Sequence, residues 1–115
     1  MKFIFIVFFI IALLNNSFCQ TTKIDSINRL INKATSDTAR INHTTDKIGL
    51  LQEVNLDSAI ALGKINLVNA QKINYAKGEA DSRTMLATNY CFKGKYDSAK
   101  ENLEQASKIY TATND

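Results

Sequence analysis

Asp-Ser-Ala stands at 57–59 and again at 97–99, and the residues after each copy keep a similar apolar spacing. Ala59, Gly63 and Ala70 on one side correspond to Ala99, Leu103 and Ala106 on the other. A period of about 40 residues marks stacked helical hairpins, units whose apolar faces are covered only by a neighbouring unit. From residue 23 onward the periodicity is helical throughout. The chain has no proline, its four glycines are isolated, and no alternating β-branched stretch is long enough to suggest a strand. The expected class is all-α: antiparallel helix pairs stacked as a short α-solenoid.

The periodicity predicts five helical segments. Ile24, Ile27, Leu30 and Ile31 form the stripe of a short first helix, interrupted by Thr-Ser-Asp at 35–37. Ser36 or Asp37 can cap the next helix, 38–54, whose thin stripe is Ile41, Ile48, Leu51 and Val54. A third helix, 57–73, carries Ala59, Ile60, Gly63, Leu67 and Ala70, widened by Ala61, Leu62, Ile65 and Ile73 to two buried sides. Residues 74–78 read as a turn or a frayed end. The fourth helix, 78–93, closes at Lys-Gly-Lys, where Gly94 supplies a left-handed residue. The fifth, 96–111, has Tyr96, Ala99, Leu103, Ala106 and Tyr110 at intervals of three and four. Short connections make successive helices antiparallel neighbours.

The stretch from Ala80 to Ala106 resembles the tetratricopeptide repeat. Leu86 and Ala87 match the large–small pair of that family's first repeat helix, Tyr90 its later aromatic and Gly94 its turn glycine. Tyr96, Ala99, Leu103 and Ala106 match the aromatic, small, large and small sites of the second helix. Arg83 departs from the pattern, where the family prefers Trp or Leu, and so does Thr111, near its usual Pro. The match is looser over 40–73. There Asp46 and Lys47 fall on the positions of Leu86 and Ala87, and a one-residue shift is needed to turn Ile48 and Leu51 inward. Residues 37–80 are also similar to the N-terminal extracytoplasmic repeat regions of Bacteroidetes-type sensor histidine kinases and regulators. The chain stops where a third repeat would start, as a truncated relative or a very small stand-alone member would.

The N-terminus sets the compartment. Lys2 precedes Phe3–Leu14, an unbroken apolar run of 12 residues. A bilayer span needs roughly 20, whereas the h-region of a secretory signal peptide needs no more than this. Ser17 and Cys19 sit at the −3 and −1 positions of a cut before Gln20. An uncleaved anchor is the alternative, and acylation of Cys19 is disfavoured by the bulky Phe18 before it. The expected organisation is a signal peptide at 1–19, a leading helix and linker at 20–36, and a repeat domain at 37–115 with hairpins at 38–73 and 78–111. The product would be periplasmic or secreted. Removing 19 of the 115 residues leaves 96, enough for one modest core. Losing Lys2 takes the net charge from +3 to +2, which points to neither nucleic acid nor a polybasic membrane patch. Membrane contact is then expected only through the signal peptide during export. Cys91 would remain without an intramolecular partner, either buried as a small hydrophobe or free.

No reactive constellation is visible. His43 is the only histidine and lies beside Asn42 and Thr44 in a helix. No metal-ligand spacing and no glycine-rich loop before a helix occurs in the sequence. The expectation is a non-enzyme with no cofactor and no metal. The tetratricopeptide resemblance implies a protein or peptide bound in a concave groove lined by the first helix of each pair, here Asp81, Thr84, Thr88, Cys91 and Phe92. It implies a core of Leu86, Ala87, Tyr90, Gly94, Tyr96, Ala99, Leu103 and Ala106. Self-association through the open end of the array is a further expectation. The competing reading is a structural or vestigial repeat fragment with no ligand, since two hairpins fall short of the three or so that such arrays usually need.

Overall fold

Where each helix stops follows from local chemistry. In the computed structural model, which describes residues 2–113, five helices run α1 (Lys2–Lys33), α2 (Asp37–Val54), α3 (Leu56–Lys72), α4 (Ala76–Phe92) and α5 (Tyr96–Thr113), with no strand among the described residues. Ser36 settles the choice of cap for α2: its hydroxyl accepts from the Ala39 N–H at 3.1 Å. Asn55 alone joins α2 to α3. Its N–H donates to the Leu51 carbonyl at 2.7 Å, and its side chain accepts from the Ser58 N–H at 3.0 Å.

Helices α3 and α4 end in the same way. Past α3, Tyr75 N–H reaches the Ala70 carbonyl (2.9 Å) and Asn74 N–H that of Gln71 (3.1 Å). Past α4, Lys95 N–H reaches Tyr90 (2.8 Å) and Gly94 N–H reaches Cys91 (3.0 Å). Both are the paired closure that needs one left-handed residue. Gly94 provides it at φ 75° and Asn74 at φ 55°. The expected glycine turn is therefore present, and 74–75 is its counterpart rather than a frayed end.

Packing is sequential. Each helix lies against the next, and α2 also touches α4. The core is made mostly of small residues (Ala59, Ala70, Ala80, Ala87, Ala99 and Ala106) with Ile41, Ile48, Ile60 and Leu86 between them. Small residues let helix axes approach closely. Leu86 of α4 lies so near Gly63 of α3 that a Cβ there would sit 2.9 Å from its Cδ2. Gly78 is tighter, since a Cβ would clash with the Tyr75 ring and sit 2.9 Å from Ile41 Cγ2.

The two hairpins, α2–α3 and α4–α5, repeat in two registers. Helices α3 and α5 begin 40 residues apart, at Leu56 and Tyr96, whereas α2 and α4 end 38 apart, at Val54 and Phe92. One residue connects the first pair and three connect the second. The shift in the looser half is thus two residues, not one. It puts Ile48 (0 % exposed) in the place of Leu86 (2 %), and Gly49 in the place of Ala87.

The expected core assignments at Gly94, Tyr96 and Leu103 are corrected, since all three are exposed. Tyr96 and Leu103 are 70 % and 48 % exposed. Their counterparts in α3, Leu56 and Gly63, are shielded, and Gly63 is covered by Leu86 of the following helix; α5 has no such helix after it among the described residues. In register, Ala106 corresponds to Asn66 rather than to Ala70. Along α3 itself, Ile65 and Ile73 are exposed, so the widened stripe is not buried throughout.

Helix α1 is continuous across the expected 19/20 boundary. Its length, about 48 Å at 1.5 Å per residue, draws out the molecule to 61 × 36 × 22 Å. Residues 3–14 are exposed along their whole length. Farther along, Asn16, Gln20 and Ile24 face the end of α2, and Gln20 Nε2 donates to Glu53 Oε2 at 2.6 Å. Ile24, Ile27 and Ile31 are half-buried while Leu30 of the same expected stripe is exposed.

The glycines give a graded test by thermal unfolding. Gly94→Ala is expected to cost about 1 kcal/mol because φ is positive. Gly78→Ala is expected to cost about 1–2 kcal/mol from overpacking. At Gly49, where a Cβ would find only Met85 Cε at 3.5 Å, Ala is expected to stabilise by up to about 1 kcal/mol. A loss at Gly49 as large as at Gly78 would contradict this packing.

Candidate binding surface on helix α4

Asp81, Thr84 and Thr88 follow one another at intervals of three and four, so they share one face of α4, and all three are half-buried. The structure gives the carboxylate two partners within the chain. Asp81 Oδ1 accepts from the Tyr110 hydroxyl of α5 at 2.5 Å, and Oδ2 accepts from Lys77 Nζ at 2.5 Å. Thr84 and Thr88 donate to carbonyls of their own helix, Ala80 (2.9 Å) and Thr84 (3.0 Å). Cys91 and Phe92 lie at the helix end, both exposed. Burial of Cys91 as a small hydrophobe is therefore corrected: it continues the Asp81, Thr84 and Thr88 face at its outer end, where no further helix covers it among the described residues. Phe92 at 65 % exposed joins Tyr96 and Leu103 as unshielded apolar side chains on the last hairpin.

Electrostatically the cluster is closed on itself. Burial, and then the hydrogen bond to Asp81, hold the Tyr110 phenol above its ordinary value, while the adjacent Thr84 acts against them. The bond to Asp81 and its negative charge hold the Lys77 ammonium above its usual value too. Arg83, where the repeat pattern prefers an apolar residue, is used in the same way. Its guanidinium meets Glu79 Oε1 at 3.3 Å and reaches Asn102 Oδ1 of α5 at 3.5 Å. No group of three or more His, Cys, Asp or Glu residues suited to a metal occurs among the described residues.

Two buried amides were not foreseen from the sequence. Asn66 (1 % exposed) donates through Nδ2 toward the Ile41 carbonyl (3.3 Å), Thr45 Oγ1 (3.1 Å) and Ser82 Oγ (3.1 Å), tying α3 to α2 and α4. Asn89 (0 % exposed) has neither amide atom bonded to the protein. A signal for Asn66 did exist, because 59, 63, 66 and 70 form a strict helical stripe with Asn66 inside it. Comparison with family models, with curated proteins and with solved structures gives no match.

Both Tyr110 and Lys77 hold their protons more tightly folded than unfolded. Their contribution is complete below the unfolded pKa, about 10 for each, and is lost as pH rises through the folded values. Tyr110→Phe is expected to lower stability by about 1 kcal/mol at neutral pH and to make the alkaline decline shallower. Melts across pH 8 to 11 check this, and parallel curves for the two proteins would contradict it.

Proposed function

We propose that the chain is an exported tetratricopeptide-type module that binds a protein or peptide segment, the sensory part or remnant of a signal-transduction protein. The observation that carries this reading is the repetition of the hairpin. Helices α2 and α4, the first of each pair, touch one another. Ala59 and Ala99 occupy one buried small site in register, and Ile48 and Leu86 one large site. A mixed polar and aromatic surface on α4, with Thr84, Thr88, Cys91 and Phe92, is suited to an extended or helical segment recognised by shape and charge.

Export is supported by the N-terminal helix. An 18-residue window of α1 has mean hydropathy 2.0 and none of it is buried, and both a cleaved leader and a membrane span satisfy that description. Cleavage before Gln20 would leave Gln20, which bonds to Glu53 of α2, as the new N-terminus. A second reading, a repeat fragment with no ligand, is favoured by one observation: Asp81, the charged residue of the α4 face, is already engaged by Lys77 and Tyr110.

Protein recovered from the envelope or medium is expected to begin at Gln20 and to select peptides from a display library that bind saturably. Phe92→Ala is expected to weaken the selected peptides about tenfold, a loss of about 1.4 kcal/mol. An intact Met1 in envelope protein would overturn cleavage in favour of an anchor, and recovery from the cytosol alone would overturn export. Failure to select any saturable peptide would overturn binding in favour of the second reading.

A further inference from the structure

On the other side of the molecule, α1 and α3 both lie against α2 without touching one another. Between them is a cavity of about 320 Å³, lined among others by Ile31, Arg40, Ile41, Asn66, Lys72 and Ile73. Asn66 forms part of its wall. The Ile41 carbonyl can only accept, so it fixes which end of the amide is Nδ2, and all three bonds of that nitrogen point into the protein. The other end, Oδ1, forms no hydrogen bond among the described residues and is not sealed from the surface. A residue 1 % exposed thus keeps its one open acceptor at the cavity. Open to the cavity, that oxygen can accept from solvent or from a donor on a ligand that enters.

The charges at the rim are unequal. Arg40 is occupied, by Asp37 Oδ1 at 2.6 Å and the Ala34 carbonyl at 3.2 Å. Lys72 forms no ion pair among the described residues. The rim therefore offers one cation outside any ion pair among the described residues, the wall the Asn66 acceptor beside the polar side chains of Thr44 and Asn69, and Ile31, Ile41 and Ile73 an apolar lining. The geometry points to a binding site for a small carboxylic acid of amino-acid size: an N–H or O–H donor on Asn66 Oδ1, a monoanionic carboxylate on Lys72, and an apolar side chain against the isoleucines. A neutral apolar ligand would leave Asn66 Oδ1 unpaired. A phosphate ester would bring a second charge to a single free cation. The volume is at the low end of ligand pockets, about 300–1,000 Å³, so one residue fits and a longer segment does not. This site is separate from the α4 surface and stands or falls without it.

The test is an NMR titration of the full chain in detergent micelles, labelled with ¹⁵N. N-acetyl-L-leucine is expected to shift the Asn66 side-chain amide and the Ile73 backbone signal saturably. Its uncharged amide, or the acid on Lys72→Met, is expected to bind about tenfold more weakly, the loss of one charge-assisted contact. Lys72 is exposed, so that variant keeps its fold, and its unchanged helical spectrum checks this. Absence of saturation with the acid, equal binding of acid and amide, or equal binding of a leucine-ended tripeptide would each overturn the assignment.

Discussion

Among the described residues, the Asn66 amide is the one place where three helices are bonded at a single point. Its nitrogen holds the Ile41 carbonyl and Thr45 of α2 on one side and Ser82 of α4 on the other. Apolar packing alone would let these helices slide, because Ala59, Ala70, Ala80 and Ala87 are nearly featureless contacts. A buried amide allows only the register in which its acceptors are in reach, since any other leaves polar groups dry and unpaired. Around that fixed point the remaining architecture follows. Helix α4 is set where Leu86 lies over Gly63, and α2 where Ile41 lies against Gly78.

The second hairpin shows what happens when the fixed point is absent. In register with Asn66, α5 has Ala106, which is buried but offers no bond. The α5 face is instead held at its far end by the Tyr110–Asp81 contact and in its middle by Arg83 with Asn102. The outward stripe of α3 is roofed by α4. The matching stripe of α5, from Tyr96 through Leu103, has no roof among the described residues. The same helix pattern thus gives a core position in one hairpin and a surface position in the other.

That contrast explains what the sequence could and could not disclose. Helical periodicity depends on local spacing, so the helix count and most helix limits were legible, as was the left-handed role of Gly94. Asn74 was not, because asparagine reaches positive φ only when the surrounding bonds demand it. Helix α1 was expected to be short. No proline or glycine lies between Leu14 and Ile24, so nothing stops the helix passing through Asn15–Thr22. The exposure of Tyr96 and Leu103 depends on a neighbour, which spacing along one helix cannot report. The register of α2 was hidden by a connection two residues shorter than its counterpart. Asn66 was passed over in favour of Leu67, since a hydropathy stripe gives no weight to an amide that packs among apolar residues.

A double-mutant cycle on Asn66 and Ser82 tests the central constraint most directly. Asn66→Ala is expected to cost about 2–4 kcal/mol and Ser82→Ala about 1 kcal/mol in chemical unfolding. If the amide is the point that fixes α4 on α3, the double variant loses less than the sum of the two by at least about 0.5 kcal/mol. Strictly additive losses would show that the two residues act apart, and that the helices are held by apolar contact alone.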